Sequence, residues 1–311
     1  MRVFVTGASG WVGRGLVPEL LGAGHEVLGL ARSEAAAKAL RAQGVEAIAG
    51  SLDDLDTLRE TAASADGVVH LAFKHDIAFA GDFAGATDSD RLAIEAFGEA
   101  LAGTGKPLVI ASGVLGVLGL APGVVATERD GLAAPADDQQ GPISGSGDRV
   151  ANAHLTLAFA ERGIRSSVVR LPPATHGVGD NGFITVAIGF AREKGAAAYV
   201  GDGANRWPSV HRDDAGRLFR LALESAPAGS VLHAVGEEGV PIRQVAEIFA
   251  EKLDIPAVSV TPEQAGDYVG FLGGFWSFDG PASARITRDL VGWQPTRPGL
   301  LEDLDAGHYF G

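Results

Sequence analysis

Residues 6–13 read Thr6-Gly7-Ala8-Ser9-Gly10-Trp11-Val12-Gly13. Three glycines at this spacing, after a short apolar run and at the head of a helical pattern, are the parts of an anion cradle. Gly7 turns the chain sharply off the strand, Gly10 presents no side chain to an approaching diphosphate, and Gly13 lets the helix pack closely on the sheet. A diphosphate placed there meets unpaired amides and the positive end of the helix dipole. A glycine-rich turn alone is weak evidence; strand, turn, helix and second strand together are much stronger. Further on, residues 29–33 read Gly29-Leu30-Ala31-Arg32-Ser33. Sites for NAD place an acid after the second strand to bind the ribose hydroxyls, and here no acid occurs before Glu34. Arg32 can pair with a 2′-phosphate and Ser33 can donate a second hydrogen bond. Charge-assisted bonds of this kind are worth about 1.5–3 kcal/mol, so NADP is the expected cofactor. The competing reading is that Arg32 is a solvated surface arginine.

The elements that must position these residues alternate in type. Strands are expected over 2–6, 26–30, 45–49, 67–72, 107–111 and 166–171, and helices over 11–21, 34–42, 52–63, 88–102 and 148–162. Such alternation predicts an α/β chain with a Rossmann-type, doubly wound parallel sheet. Residues 113–147 are rich in Gly, Ala, Pro and Asp and are expected to be irregular. Helices over 183–194, 213–224 and 242–253 and a strand over 231–235 follow. The tail 258–311 carries Tyr268, Trp276, Trp293 and Tyr309, which argues for packing rather than disorder. The expected division is a nucleotide-binding domain, 1–174 completed by about 209–236, and a small carboxy-terminal substrate-binding lobe from about 175–208 and 237–311.

Composition excludes several classes. The net charge of −14, with no basic stripe, makes nucleic acid a poor partner. The absence of cysteine rules out disulfides, thiolate nucleophiles and cysteine-bound metals. No apolar run approaches the roughly 20 residues of a membrane span. Met1 runs almost directly into a strand, with no charged-then-apolar leader, so a cytoplasmic protein is expected. His211 and Asp213, two residues apart with no third ligand nearby, do not make a metal site, and none is expected.

The glycine spacing resembles that of short-chain dehydrogenases/reductases, and more narrowly the atypical and extended branch similar to NAD-dependent epimerases/dehydratases. His70-Leu71-Ala72 looks like the family segment beside the adenosine ribose, and Ala111-Ser112-Gly113 like the strand end that carries the catalytic serine. Residues 170–177, Arg-Leu-Pro-Pro-Ala-Thr-His-Gly, resemble the segment that closes over the nicotinamide. Residues 201–203 and 207–215 resemble the carboxy-terminal signature. The resemblance covers most of the chain. It implies cofactor contacts from Thr6, Gly7, Ser9, Gly10, Trp11, Val12, Gly13, Arg32, Ser33, Leu52, Leu71, Ala72, Phe73, Lys74, Arg149, Pro172, Pro173 and Thr175.

One departure is decisive for mechanism. The family's Tyr-x-x-x-Lys pair falls at Gly145 and Arg149, or at Ser144 and Asp148, depending on a single deletion. The only tyrosines are Tyr199, Tyr268 and Tyr309. The proton donor must therefore be sought among Ser112, Ser144, Ser146, His75 and His176. Ser112 is the residue the resemblance places on the substrate oxygen, and Arg149 can contact the nicotinamide ribose as the lysine would. Each has a structural alternative: Ser112 as a strand terminus, His75 as a solvated loop residue, Arg149 as an exposed first-turn residue. Phe275, Trp276 and Phe278 line an apolar pocket or belong to the core. The expected activity is NADPH-dependent reduction of a C=O or C=N bond in a small apolar molecule by a monomer or homodimer. A non-catalytic NADP-binding redox sensor is the second reading. A nucleotide-sugar epimerase or dehydratase is the third, its diphosphate clamp limited to Arg206 and Arg212.

Overall fold

The computed structural model describes residues 1–114, 123–132 and 146–311, except the side chains of Phe79, Ser146, Gly147 and Asp148. The strands are β1 (Arg2–Thr6), β2 (Glu26–Ala31), β3 (Glu46–Ala49), β4 (Gly67–His70), β5 (Pro107–Gly113), β6 (Arg165–Leu171), β7 (Ala174–His176), β8 (Ala197–Val200), β9 (Arg206–His211), β10 (Ser230–His233), β11 (Glu237–Pro241) and β12 (Ala257–Val260). The helices are α1 (Gly13–Gly22), α2 (Glu34–Arg41), α3 (Leu55–Ser64), α4 (His75–Phe79), α5 (Phe83–Leu101), α6 (Ser146–Ala158), α7 (Phe183–Lys194), α8 (Arg212–Ser225), α9 (Ile242–Leu253), α10 (Ala265–Val269), α11 (Gly273–Trp276), α12 (Arg285–Val291) and α13 (Leu300–Asp305).

Seven parallel strands form the main sheet in the order β10-β6-β5-β4-β1-β2-β3. The order reverses direction at β1, which places the crevice for a ligand at the carboxyl ends of β1 and β4. Both faces are covered. Along β1, Val3 and Val5 pack with α1 and α8 on one side, while Phe4 packs with α3 and α5 on the other. This is why the central strands read as unbroken apolar runs. The remaining strands form a three-stranded sheet, β11-β9-β7, and a parallel pair, β12-β8. With α7, α9, α11 and α13 they enclose a separate apolar centre around Trp207, Trp276, Phe249 and Leu304. Trp207 and Trp276 meet edge to face, with centroids 5.1 Å apart. No helix among the described residues is long and apolar enough to cross a membrane.

Several expected boundaries shift for identifiable reasons. The third helix begins at Leu55 rather than 52, because both the amide and hydroxyl of Ser51 donate to the Asp54 carboxylate, closing a turn over 51–54. The fourth strand stops at His70 rather than 72: the Ala72 amide leaves the ladder and donates to Thr6 Oγ1. The next helix starts at Phe83 rather than 88, capped by the Asp82 carboxylate on the Gly85 amide, and the short α4 precedes it. Strands β7, β8, β9, β11 and β12 were not anticipated. Most of the segment expected to be irregular, 113–147, lies outside the described residues.

Helices α1 and α8 approach through glycines. A Cβ on Gly216 would lie 2.4 Å from the Gly15 carbonyl carbon, and one on Gly15 would lie 2.6 Å from the Arg212 oxygen. Gly216→Ala is therefore expected to cost about 1–3 kcal/mol by overpacking a rigid contact, read as a lower urea midpoint at unchanged slope.

Candidate active site at the carboxyl edge of the sheet

The glycine turn fits its neighbours without spare space. Gly7 has φ +69°, and a Cβ there would lie 2.8 Å from the Ala72 amide nitrogen. A Cβ on Gly13 would lie 2.3 Å from the Gly7 oxygen and 2.4 Å from the Ala8 oxygen, so α1 starts directly on the turn. Gly10 is exposed, with Ser9, Trp11 and Val12 half-buried around it. The cradle is open on the side where the amides of the first turn of α1 point.

A buried polar chain lies beneath it. Thr6 Oγ1 and His70 Nδ1 are 2.6 Å apart, His70 Nε2 and Asp90 Oδ1 3.1 Å, and Asn152 Nδ2 donates to Asp90 Oδ2 at 2.8 Å. All four residues are buried. Burial works to raise the Asp90 carboxyl, but the hydrogen bonds from His70 and Asn152 and the charges of His70 and Arg149 outweigh it, leaving the group below its ordinary range. This chain ties β1, β4, α5 and α6 together at the crevice. Thr6 and His70 stand out in the sequence; Asp90 and Asn152 do not. Asp90 had a readable signal: Ala86, Ala93, Ile94 and Phe97 share its helix face, and all are buried.

At the crevice mouth, Arg149 of α6 lies 4.2 Å over the Phe73 ring and donates to the Ala111 carbonyl at 3.2 Å. Arg149 is therefore drawn inward rather than exposed, and burial lowers its pKa. Ser112, the next residue on β5, is buried and in register with Arg170 of β6. His75 opens α4, with its ring 5.0 Å from Phe73. Crowding by the surrounding protein and the Arg149 charge hold its imidazole below the usual range. The structure thus brings Phe73, His75 and Arg149 together, with Arg149 anchored on the residue that precedes Ser112. Ser144 lies outside the described residues, and Ser146 is described only as the first residue of α6.

At the end of β2, Arg32 points outward with a side chain 72% exposed and pairs with Asp76 at 3.1 Å. Ser33 caps α2, accepting from the Ala36 amide at 3.2 Å. Its hydroxyl proton stays available to a ligand. Lys74 is held by both Asp53 oxygens, at 2.6 and 2.8 Å. Leu52 is buried in the core between sheet and helices, and Leu71 and Ala72 are half-buried at the crevice. On the far side, Trp11 Nε1 donates to the Thr175 carbonyl at 2.8 Å, and the Arg212 guanidinium stacks 4.5 Å over the Trp11 ring. Thr175 Oγ1 donates to the Pro172 carbonyl, which closes the turn through Pro172 and Pro173.

One expectation needs correction, and the alternatives left open at Trp276 are decided. His176 is fully buried, paired through Nδ1 with Asp303 at 2.8 Å, and in contact with the His211 ring. An imidazole with no accessible face cannot hand a proton to a substrate, so His176 leaves the set of donors. Trp276 is 1% exposed and donates to the Ala198 carbonyl, which makes it core rather than pocket lining. Arg206 is held by Asp279 through Nε and Nη2, each at 3.0 Å. His211 Nδ1 accepts from the Asp213 amide, capping α8.

Comparison with known proteins agrees with this geometry. Residues 3–88 match the NAD dependent epimerase/dehydratase family. A protein of Schizosaccharomyces pombe described as uncharacterised is 45% identical over 311 residues, covering 100% of both chains. The chain belongs to the NAD-dependent epimerase/dehydratase family. Within it, a 2-alkyl-3-oxoalkanoate reductase of Stenotrophomonas maltophilia is 27% identical over 270 residues, covering 83% of this chain and 77% of its own. The dTDP-glucose 4,6-dehydratase DesIV of Streptomyces venezuelae, solved with NAD and TYD bound, shares the fold at TM-score 0.78 and 19% identity, over 100% of this chain and 96% of that one.

The Asp90 network makes a checkable contribution. Asp90→Ala removes one partner of a buried pair and is expected to cost on the order of 3 kcal/mol at pH 7. Because the folded-state carboxyl is depressed, its contribution is present above the unfolded pKa near 4 and is lost as pH falls through the folded value. Urea midpoints of the two proteins should therefore begin to converge as the pH is lowered below about 4; a constant gap would contradict the assignment.

Proposed function

We propose that this family member reduces a C=O or C=N bond of a small apolar organic molecule with NADPH. The observation that supports it most is Arg32, exposed at the end of β2 beside the Ser33 hydroxyl, in the place where an acid would serve NAD. The glycine turn, which has no room for a Cβ at Gly7 against the Ala72 backbone, suits the diphosphate. Bound NADPH supplies a hydride. Ser112 hydrogen-bonds the substrate oxygen or nitrogen, and Arg149, anchored on Ala111, takes the position of the missing lysine. His75 is the side chain at the mouth able to move a proton, but its lowered pKa leaves it mostly neutral at pH 7. An imine, which arrives protonated on its own nitrogen, needs that donor least. The 2-alkyl-3-oxoalkanoate reductase relative supports carbonyl reduction as the alternative substrate chemistry. In this reading, residues 1–174 with 209–236 bind the nucleotide and 175–208 with 237–311 receive the substrate. The protein acts in the cytoplasm as a monomer or homodimer.

The absence of Tyr-x-x-x-Lys favours one other reading, an NADP-binding sensor without turnover. Single-turnover oxidation of NADPH across a panel of ketones and imines separates the two. Oxidation with at least one substrate is expected, whereas tight NADPH binding with no oxidation throughout would sink the enzyme reading. Ser112→Ala should slow that step about 10- to 100-fold with NADPH affinity unchanged. Arg32→Ala should weaken NADPH about 10-fold or more and NADH far less; equal weakening would remove the case for a 2′-phosphate site.

A further inference from the structure

We infer that Asp76 sets how strongly the site discriminates NADPH from NADH, by competing with the cofactor's 2′-phosphate for the Arg32 guanidinium. The inference rests on the assignment of Arg32 to that phosphate. An acid is absent from the end of β2, yet α4 delivers one to the same arginine: Arg32 Nη1 and Asp76 Oδ2 are 3.1 Å apart. The other Asp76 oxygen accepts from the Ile77 amide at 3.1 Å, which holds the carboxylate in its orientation. The neighbouring cation does not relieve the competition, because Lys74 is already bound by both Asp53 oxygens and Ser89 adds a third contact to that carboxylate.

A phosphate arriving at Arg32 must share the guanidinium with Asp76 or displace it. A cofactor ending in a plain ribose hydroxyl meets no such charge conflict. The hydrogen bond from Arg32 keeps Asp76 ionised well below neutrality, so the competitor is charged at every physiological pH. The pair is open to water, with side chains 72% and 58% exposed. Exposed pairs are weak and screened by salt, so Asp76 tempers the preference for NADPH without abolishing it. It acts as a specificity-determining residue, separate from the groups at the crevice mouth.

Isothermal titration of the full chain with NADP⁺, NAD⁺ and adenosine 2′-monophosphate tests this, using the wild type, Asp76→Asn, Arg32→Ala and Asp56→Asn. Asp76→Asn should tighten NADP⁺ and adenosine 2′-monophosphate about three- to tenfold at low ionic strength, leave NAD⁺ within about twofold, and lose most of the gain in about 0.5 M salt. Asp56, on α3 and paired with Arg59, controls for net charge; Asp56→Asn should leave the ratio unchanged. Unchanged NADP⁺ affinity in Asp76→Asn, an equal gain for NAD⁺, or the same gain in Asp56→Asn overturns the inference. The arginine variant separates the two levels. Selective loss of NADP⁺ in Arg32→Ala with no effect of Asp76→Asn refutes only the competition. Equal loss of both cofactors refutes the 2′-phosphate assignment and the competition with it.

Discussion

The contact between the glycine turn and the end of β4 constrains everything at the crevice. Gly7 approaches Ala72 so closely that no Cβ can stand between them, and Gly13 rests on the Gly7 and Ala8 carbonyls. That proximity requires β4 to leave the ladder at His70, which in turn presents Ala72 to Thr6 Oγ1 and His70 to Asp90. The start of α1, the exit of β4 and the inner face of α5 are thus fixed by one another. A turn with no room for a Cβ on either glycine has little freedom to drift, so its shape is set by packing.

Charge is distributed in two ways around that rigid centre. Inside, several polar groups are matched: Thr6, His70, Asp90 and Asn152 form one chain under the glycine turn, and His176 pairs through Nδ1 with Asp303. Arg170, lowered by burial to about 10, donates to the Asp130 carbonyl and faces His233, itself pushed down to about 4. Unmatched, any of these would carry a desolvation cost of kilocalories. At the crevice rim the Arg32–Asp76 pair is exposed to water on both sides, whereas Lys74 is held by both Asp53 oxygens. The interior pairs hold geometry in a way that an exposed, screened pair does not.

The three-stranded sheet is joined to the turn after β1 of the main sheet through Trp11. Its indole donates to β7 at Thr175 while Arg212, at the head of α8, stacks on its ring and donates to the Val178 carbonyl. A residue of the glycine turn therefore touches two segments distant in sequence that flank the crevice, and the turn and the three-stranded sheet share one wall.

By itself the sequence determined the parallel sheet, the cradle and the cation after β2. Each rests on local pattern: apolar runs bounded by turns, glycines at fixed spacing, and an arginine where an acid is usual. Helices α7 and α9 were legible to the residue, because their apolar periodicity is undisturbed. The start of α5 was not, since a glycine and two alanines hide the first turn and only the Asp82 cap marks it. Tertiary structure alone decided the rest. It buried His176 and Trp276, which local sequence could equally have placed at a pocket, because burial depends on what packs from far along the chain, 127 positions away for His176 and Asp303 and 78 for Trp276 and Ala198. It turned Arg149 inward onto Phe73, brought Asp90 beneath the cradle, and set Asp76 against Arg32. These are contacts across 20 to 76 positions in the chain, and no periodicity encodes which side chain will meet which once the helices are laid on the sheet.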